Sequence, residues 1–143
     1  MMKLKELLDK KGASAVTVPG SSTVGMAIRT MYQNRVGSVI VASDSGMPLG
    51  ILTERDIMRL YAEGKSAFET LRVEDCMTTN LVLGSPDDRI SEVLGIMTEK
   101  RFRHMPVVQD NQIMGIVSIG DLVKAKLEET AFEAQALRDY IAS

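Results

Sequence analysis

The sequence predicts an α/β (α+β) fold in which two β-α-β-β-α repeats pack with pseudo-twofold symmetry between N- and C-terminal helices. Three observations carry that reading. A seven-residue motif occurs twice, as Gly50-Ile51-Leu52-Thr53-Glu54-Arg55-Asp56 and as Gly115-Ile116-Val117-Ser118-Ile119-Gly120-Asp121. Sliding the chain along itself by about 65 residues sets Val24, Ala27, Ile28 and Met31 on Ile90, Val93, Leu94 and Met97. Both sets have the i, i+3, i+4, i+7 spacing of an amphipathic helix. At the same offset Ser38-Val39-Ile40-Val41 falls on His104-Met105-Pro106-Val107, and Asp44 falls on Asp110. Matching periodicity, turns and motif together indicate a tandem duplication.

In chain order, Leu4, Leu7 and Leu8 predict a short N-terminal helix ending at Gly12. A strand follows near Ala15–Val18, broken by Pro19 and Gly20. Thr23 is placed to N-cap a helix over Val24–Asn34. Gly37–Ala42 and Pro48–Leu52 are β-rich runs joined by a tight turn, and a helix runs from Glu54 to Ala62, stopping at Gly64. The second unit repeats the plan with a strand near Leu81–Leu83, a helix Arg89–Lys100, and strands His104–Val108 and Ile113–Val117 about the turn Gln109-Asp110-Asn111. A last helix, Leu122 to Ala142, carries an apolar seam of Val123, Leu127, Ala131, Ala134, Leu137 and Ile141. That seam either covers the chain's own core or meets a second subunit. The partition is therefore 1–12, N-terminal helix; 13–64, repeat one; 65–74, connector; 75–126, repeat two; and 127–143, C-terminal extension. Two three-stranded units are expected to share one core face to face, leaving two related clefts.

Bulk properties narrow the function. The 143 residues carry a net charge of −2, so no global basic excess draws the chain to nucleic acid. A single cysteine, Cys76, makes neither an internal disulfide nor a cysteine-rich zinc site. His104 is the only histidine and has no cysteine or carboxylate cluster beside it, so no metal is required. No secretory signal is visible, and the longest apolar run, Val39–Ala42, is far too short to cross a bilayer. The expectation is a cytoplasmic protein. A complete Gly-x-x-x-x-Gly-Lys-Ser/Thr phosphate loop is lacking, since Gly64-Lys65-Ser66 has Arg59 in place of the first glycine, and so is a nucleophile–base–acid set; the chain is not expected to be an enzyme.

The repeated motif has a structural reading and a functional one. A hydroxyl followed three residues later by an acid makes a capping box, in which Thr53 or Ser118 caps the helix and Asp56 or Asp121 reaches back. The same geometry suits a ligand. A helix start presents unpaired N–H groups and partial positive charge to a phosphate. A hydroxyl at the cap can donate to a phosphate oxygen, and a carboxylate one turn along can accept both hydroxyls of a ribose. Gly50 and Gly115 would let the ligand approach the backbone.

At this point the chain resembles a tandem cystathionine-β-synthase (CBS) domain, a stand-alone Bateman module. The resemblance rests on the two motifs, on Cys76-Met77-Thr78-Thr79-Asn80 and on Arg103-His104-Met105-Pro106-Val107-Val108. It implies a regulatory sensor that binds an adenine nucleotide between the repeats: AMP foremost, or ADP, ATP, NAD(H) or S-adenosylmethionine. It implies a homodimer, with an effector protein that this chain does not identify. Carried across, Asp56 and Asp121 would hold ribose hydroxyls, while Thr53 and Ser118 face phosphate. Thr79, Asn80 and Leu81 with Met105 and Pro106 would sandwich adenine. In unit one the matching stretches are Ser14–Val16 and Val39–Ile40, preceded by Ser38, where the family's His-apolar-Pro run is replaced.

Basic residues cluster at Lys100, Arg101, Arg103 and His104. They read either as a solvated helix end or as phosphate neutralisation, with Arg103 and His104 foremost. Two other readings stand beside the nucleotide sensor. One is a ligand-free dimerisation module in which both motifs are only caps. The other is an RNA- or DNA-binding protein using the basic cluster, which Phe102 alone interleaves with an aromatic ring.

Overall fold

The computed structural model describes residues 1–12 and 15–143; the expected contact at Ser14 lies outside them. Helix α1 (Leu4–Lys11) leads to strand β1 (Thr17–Pro19), helix α2 (Val24–Asn34), the hairpin β2 (Ser38–Ala42) and β3 (Pro48–Thr53), and helix α3 (Glu54–Ala62). After a 3-10 turn at Val73–Asp75 come α4 (Ile90–Lys100), the hairpin β4 (His104–Gln109) and β5 (Gln112–Ser118), and the long helix α5 (Ile119–Ala142). In repeat one, β1 pairs parallel to β2, and β2 pairs antiparallel to β3. Pro19 closes β1 on the sheet edge, where its missing N–H breaks no ladder bond. In repeat two, Asp110 and Asn111 both take left-handed φ, 52° and 61°, the geometry a two-residue hairpin turn needs.

The strand expected near Leu81–Leu83 is reduced to one parallel bridge, Gly84 to Val107. The Leu81 N–H turns back to Thr79 O at 2.9 Å, and beyond Gly84 the chain is held by α1 instead of β4. Pro86 O accepts the Lys5 N–H at 3.0 Å and Asp88 O accepts the Leu4 N–H at 2.9 Å. The start of α4 is tied in return, with the Ile90 N–H donating to Met2 O at 3.1 Å. Helix α1 thus packs on repeat two, although it precedes repeat one. The connector does the converse. Val24 and Gly25, at the start of α2, donate to Leu71 O and Phe68 O at 2.8 and 2.7 Å.

The repeats do not share a single core. One cluster gathers Val24, Ala27, Met31, Val39, Val41, Leu52, Leu60 and Val73, all from repeat one and its connector. The other gathers Ile90, Val93, Met97, Met105, Val107 and Val117 with Leu4 and Leu7 of α1 and Leu122 and Ala125 of α5. Strand pleating explains the division, because successive side chains point to opposite faces. Val39, Val41, Met105 and Val107 face their own core, while the alternate residues Ile40 and Pro106 turn to the other face. Beyond Ala125, α5 leaves the body; Leu127, Phe132, Leu137 and Ile141 are all exposed, so the seam does not cover the chain's own core. Among the described residues no helix is long and apolar enough to cross a membrane.

The motif glycines serve this cross-packing. A Cβ on Gly50 would lie 2.5 Å from Met77 Sδ and 2.9 Å from the Thr78 carbonyl oxygen. On Gly115 it would meet Leu8 Cδ2 at 2.7 Å. Protein, not ligand, makes the close approach at both. A Leu terminus can rotate away and a backbone carbonyl cannot. Gly50→Ala is therefore expected to destabilise by about 1–3 kcal/mol, and Gly115→Ala by less. Urea denaturation of both variants checks the order; equal losses would contradict it.

Candidate functional site

Each repeated motif sits where a strand ends and a helix begins. β3 delivers Thr53 to the N-cap of α3, and β5 delivers Ser118 to the N-cap of α5. Both form complete capping boxes. Thr53 Oγ1 accepts the Asp56 N–H at 3.2 Å, and Asp56 Oδ2 accepts the Thr53 N–H at 2.9 Å and its hydroxyl at 3.1 Å. Ser118 Oγ accepts the Asp121 N–H at 3.1 Å, and Asp121 Oδ2 accepts the Ser118 N–H at 3.0 Å. Capping occupies one oxygen of each carboxylate. The second oxygen of Asp56 has only long contacts, to Thr78 Oγ1 at 3.5 Å and Arg59 Nη2 at 3.6 Å. Among the described residues none hydrogen-bonds Asp121 Oδ1.

Two clefts open beside these boxes, and each crosses the repeats. Cleft one, about 480 Å³, places Thr53 and Asp56 opposite Arg101, Phe102, Arg103 and His104 of repeat two, with Ile51 and Thr78 lining it as well. Cleft two, about 310 Å³, places Ser118 and Asp121 opposite Arg35, Val36, Gly37 and Ser38 of repeat one, with Val16, Ile116 and Lys11. The opposing walls are the same element of the duplicated plan, the stop of the first helix and the start of the next strand. Arg35 and Arg101 both take left-handed φ, 55° and 58°, as the C-caps of α2 and α4. A non-glycine residue there is uncommon, and here it turns the chain from helix to strand at the cleft. Gly37 and His104 line both clefts, so the two share a wall.

The structure thus brings Thr53, Asp56, Arg103 and His104 together in one cleft and Ser118, Asp121, Val16, Ser38 and His104 in the other. It does not bring Thr79, Asn80, Leu81, Met105, Pro106 or Val39 into either lining. Val39 and Met105 are buried on the core faces of their strands, and Thr79 and Asn80 are exposed. Arg35, Gly37, Thr78 and Lys11 were missed. The self-alignment held a signal for two of them, because Arg35-Val36-Gly37-Ser38 falls under Arg101-Phe102-Arg103-His104. Lys11 has no such signal.

The electrostatics are uneven. Burial pushes the Asp121 carboxyl up, but hydrogen bonds from Lys11 and Ser118 outweigh it and hold the acid below the usual carboxylate range. Burial pushes the His104 imidazole down, and the Lys11 and Arg103 charges push it further. His104 is therefore neutral at pH 7 and able to gain a proton when negative charge arrives beside it. Among the described residues no group of three or more His, Cys, Asp or Glu side chains is placed to hold a metal ion.

The fold defines a pair of small α/β repeats with a cleft on either side of their shared wall. The CBS domain family model matches residues 5–63 and 73–128, and the chain belongs to that family. It is 34% identical over 147 aligned positions to the mitochondrial CBS domain-containing protein CBSX3 of Arabidopsis thaliana, covering 96% of this chain and 71% of the relative. A crystallised CBS-domain protein of Agrobacterium tumefaciens is 38% identical, with a TM-score of 0.81 over 87% of this chain and 99% of its own. A CBS domain protein of Pyrobaculum aerophilum, complexed with AMP, shares the fold with a TM-score of 0.78 at 24% identity, over 92% of this chain and 99% of its own.

With one histidine, a single imidazole resonance reports on the shared wall. By NMR it is expected to titrate below the usual histidine value, and Lys11→Met is expected to raise that midpoint by removing a positive charge that holds it down. An unchanged midpoint would mean that Lys11 does not face His104.

Proposed function

We propose that this protein is a regulatory sensor that binds an adenine nucleotide, AMP foremost, in the clefts between its repeats. The observation that carries the proposal is the doubled arrangement of each cleft. A capping-box acid with one weakly engaged oxygen stands opposite an arginine-bearing helix stop from the other repeat. Asp56 and Asp121 would hold ribose hydroxyls. The helix mouths at Thr53 and Ser118, with Arg101, Arg103, Arg35 and the shared His104, would meet phosphate. The AMP bound by the Pyrobaculum protein of the same fold supports this ligand class. A ligand touching both repeats favours one relative pose over another, and that difference in affinity is the signal.

The closed capping boxes favour a second reading, a ligand-free dimerisation module. Thermal unfolding separates the two. Nucleotide at about a hundred times its dissociation constant adds about 2.7 kcal/mol of stability. Asp56→Asn with Asp121→Asn keeps an acceptor for each cap N–H while removing the charge. The double variant is expected to fold and to lose most of the AMP-dependent shift. A full shift in that variant would remove both acids from the site, and no shift in the wild type would favour the second reading.

We propose further that the protein is a homodimer joined through α5, whose exposed Leu127, Phe132, Leu137 and Ile141 suit an apolar helix–helix contact. Leu127→Asp with Leu137→Asp is expected to give a monomer by light scattering. A persistent dimer would place the contact elsewhere.

A further inference from the structure

The clefts differ at one donor. In cleft one the first residues of repeat two run beside the acid as backbone. The Thr78 N–H donates to the Ile51 carbonyl at 2.9 Å, and the Thr78 hydroxyl lies 3.5 Å from Asp56. In cleft two the duplicated carbonyl is that of Ile116, and it accepts from Lys11 Nζ at 3.0 Å. The same ammonium donates to Asp121 Oδ2 at 2.8 Å. A charged side chain thus takes in cleft two the carbonyl that backbone takes in cleft one, and it meets the cap-bonded Oδ2 of its acid where the Thr78 hydroxyl faces the other oxygen of Asp56. The two donors differ in freedom. Thr78 cannot leave without opening its two-bond bridge to Ile51. Lys11 is about one-third exposed and can swing on a flexible stem.

We propose that Lys11 makes cleft two selective for phosphorylated nucleosides, by leaving Asp121 when a ligand diol engages that acid and passing to the ligand's anionic group. The inference rests on the nucleotide reading above. A diol that engages both oxygens of Asp121 must share or displace the ammonium on Oδ2. An uncharged nucleoside offers the ammonium no new partner, whereas a phosphate offers a charge-assisted one. The acid of cleft one carries no comparable handicap. Its nearest cation, Arg59, stands 3.6 Å away on the next turn of its own helix and does not line the cleft.

Calorimetry on the full chain tests this with AMP and adenosine as probes. Asp56→Asn is included to mute cleft one, its amide still able to cap α3. On that background AMP is expected to bind about tenfold or more tightly than adenosine. Lys11→Met and Lys11→Gln should each remove most of that preference, and Lys11→Arg should keep it. Far-ultraviolet circular dichroism confirms folding, and two neutral variants guard against one misfolding. An undiminished preference in both neutral variants would overturn the role of Lys11 while leaving the nucleotide reading in place. Binding by the wild type but not by the Asp56→Asn protein would remove cleft two as a nucleotide site, and the inference with it. A wild type that binds neither probe would overturn both.

Discussion

Everything in this molecule depends on an exchange of lead-in segments between the repeats. The segment before repeat one is bound to repeat two, through backbone hydrogen bonds around Asp88 and Ile90 and through burial of Leu4 and Leu7. The segment before repeat two is bound to repeat one, through Phe68, Leu71 and Val73. Each repeat therefore lacks part of its own core and finds it in the other's leader. Two or three strands and two helices bury too little to stand alone. The exchange supplies the missing surface and also fixes how the repeats face one another. The clefts are a consequence of that fixed relation, since each needs a motif from one repeat and a helix stop from the other.

The same constraint explains why the motif is used twice over. Its glycine makes room for the crossing leader, Met77 and Thr78 in one case and Leu8 in the other. Its hydroxyl and acid close a capping box. Neither role spends the whole motif. A capping box needs one carboxylate oxygen to meet the N-cap N–H, and an aspartate has two. A helix start also presents more N–H groups than one cap can satisfy. Structure and binding are thus compatible uses of one short sequence, which is why a capping reading and a ligand reading are not alternatives at the level of geometry.

How much of this was legible in the sequence follows from where the information lies. Helix α2 was legible to the residue, because Thr23 is a strong cap and the apolar periodicity is clean, and α3 was legible in approximate extent from Thr53 and Gly64. The duplication, the hairpins and the paired acids were legible because they repeat. The strand at Leu81–Leu83 was misread because three apolar residues do not say which of them pairs: the Leu81 N–H turns back to Thr79 O, and Gly84, one residue further on, makes the bridge to β4. Local pattern cannot carry that information. The expectation of one shared core failed for a similar reason. Strand alternation shows that two faces exist but not which neighbour covers each. Lys11 was invisible because lysines in the last turn of a helix, here Lys10 and Lys11, have an ordinary local explanation, and only the crossing of α1 brings Lys11 to Asp121.

The crossing also determines what a ligand can move. Helix α1 is anchored at one end by Leu4 and Leu7 in the core of repeat two, and at the other it places Lys11 in cleft two before the chain turns into repeat one. Burial of two leucines stabilises by about 3–6 kcal/mol together. A partly exposed ion pair contributes about 1 kcal/mol or less. An occupant that competes with Lys11 for Asp121 would therefore break the ion pair and leave the helix docked. The first response is confined to a side chain, and a larger response must come from the ligand's simultaneous grip on both repeats across the wall formed by Gly37 and His104. Because that wall belongs to both clefts, negative charge arriving in either one acts on the same imidazole. Under the nucleotide reading, an anion in one cleft would therefore be felt in the other through that imidazole, with no movement of the backbone required.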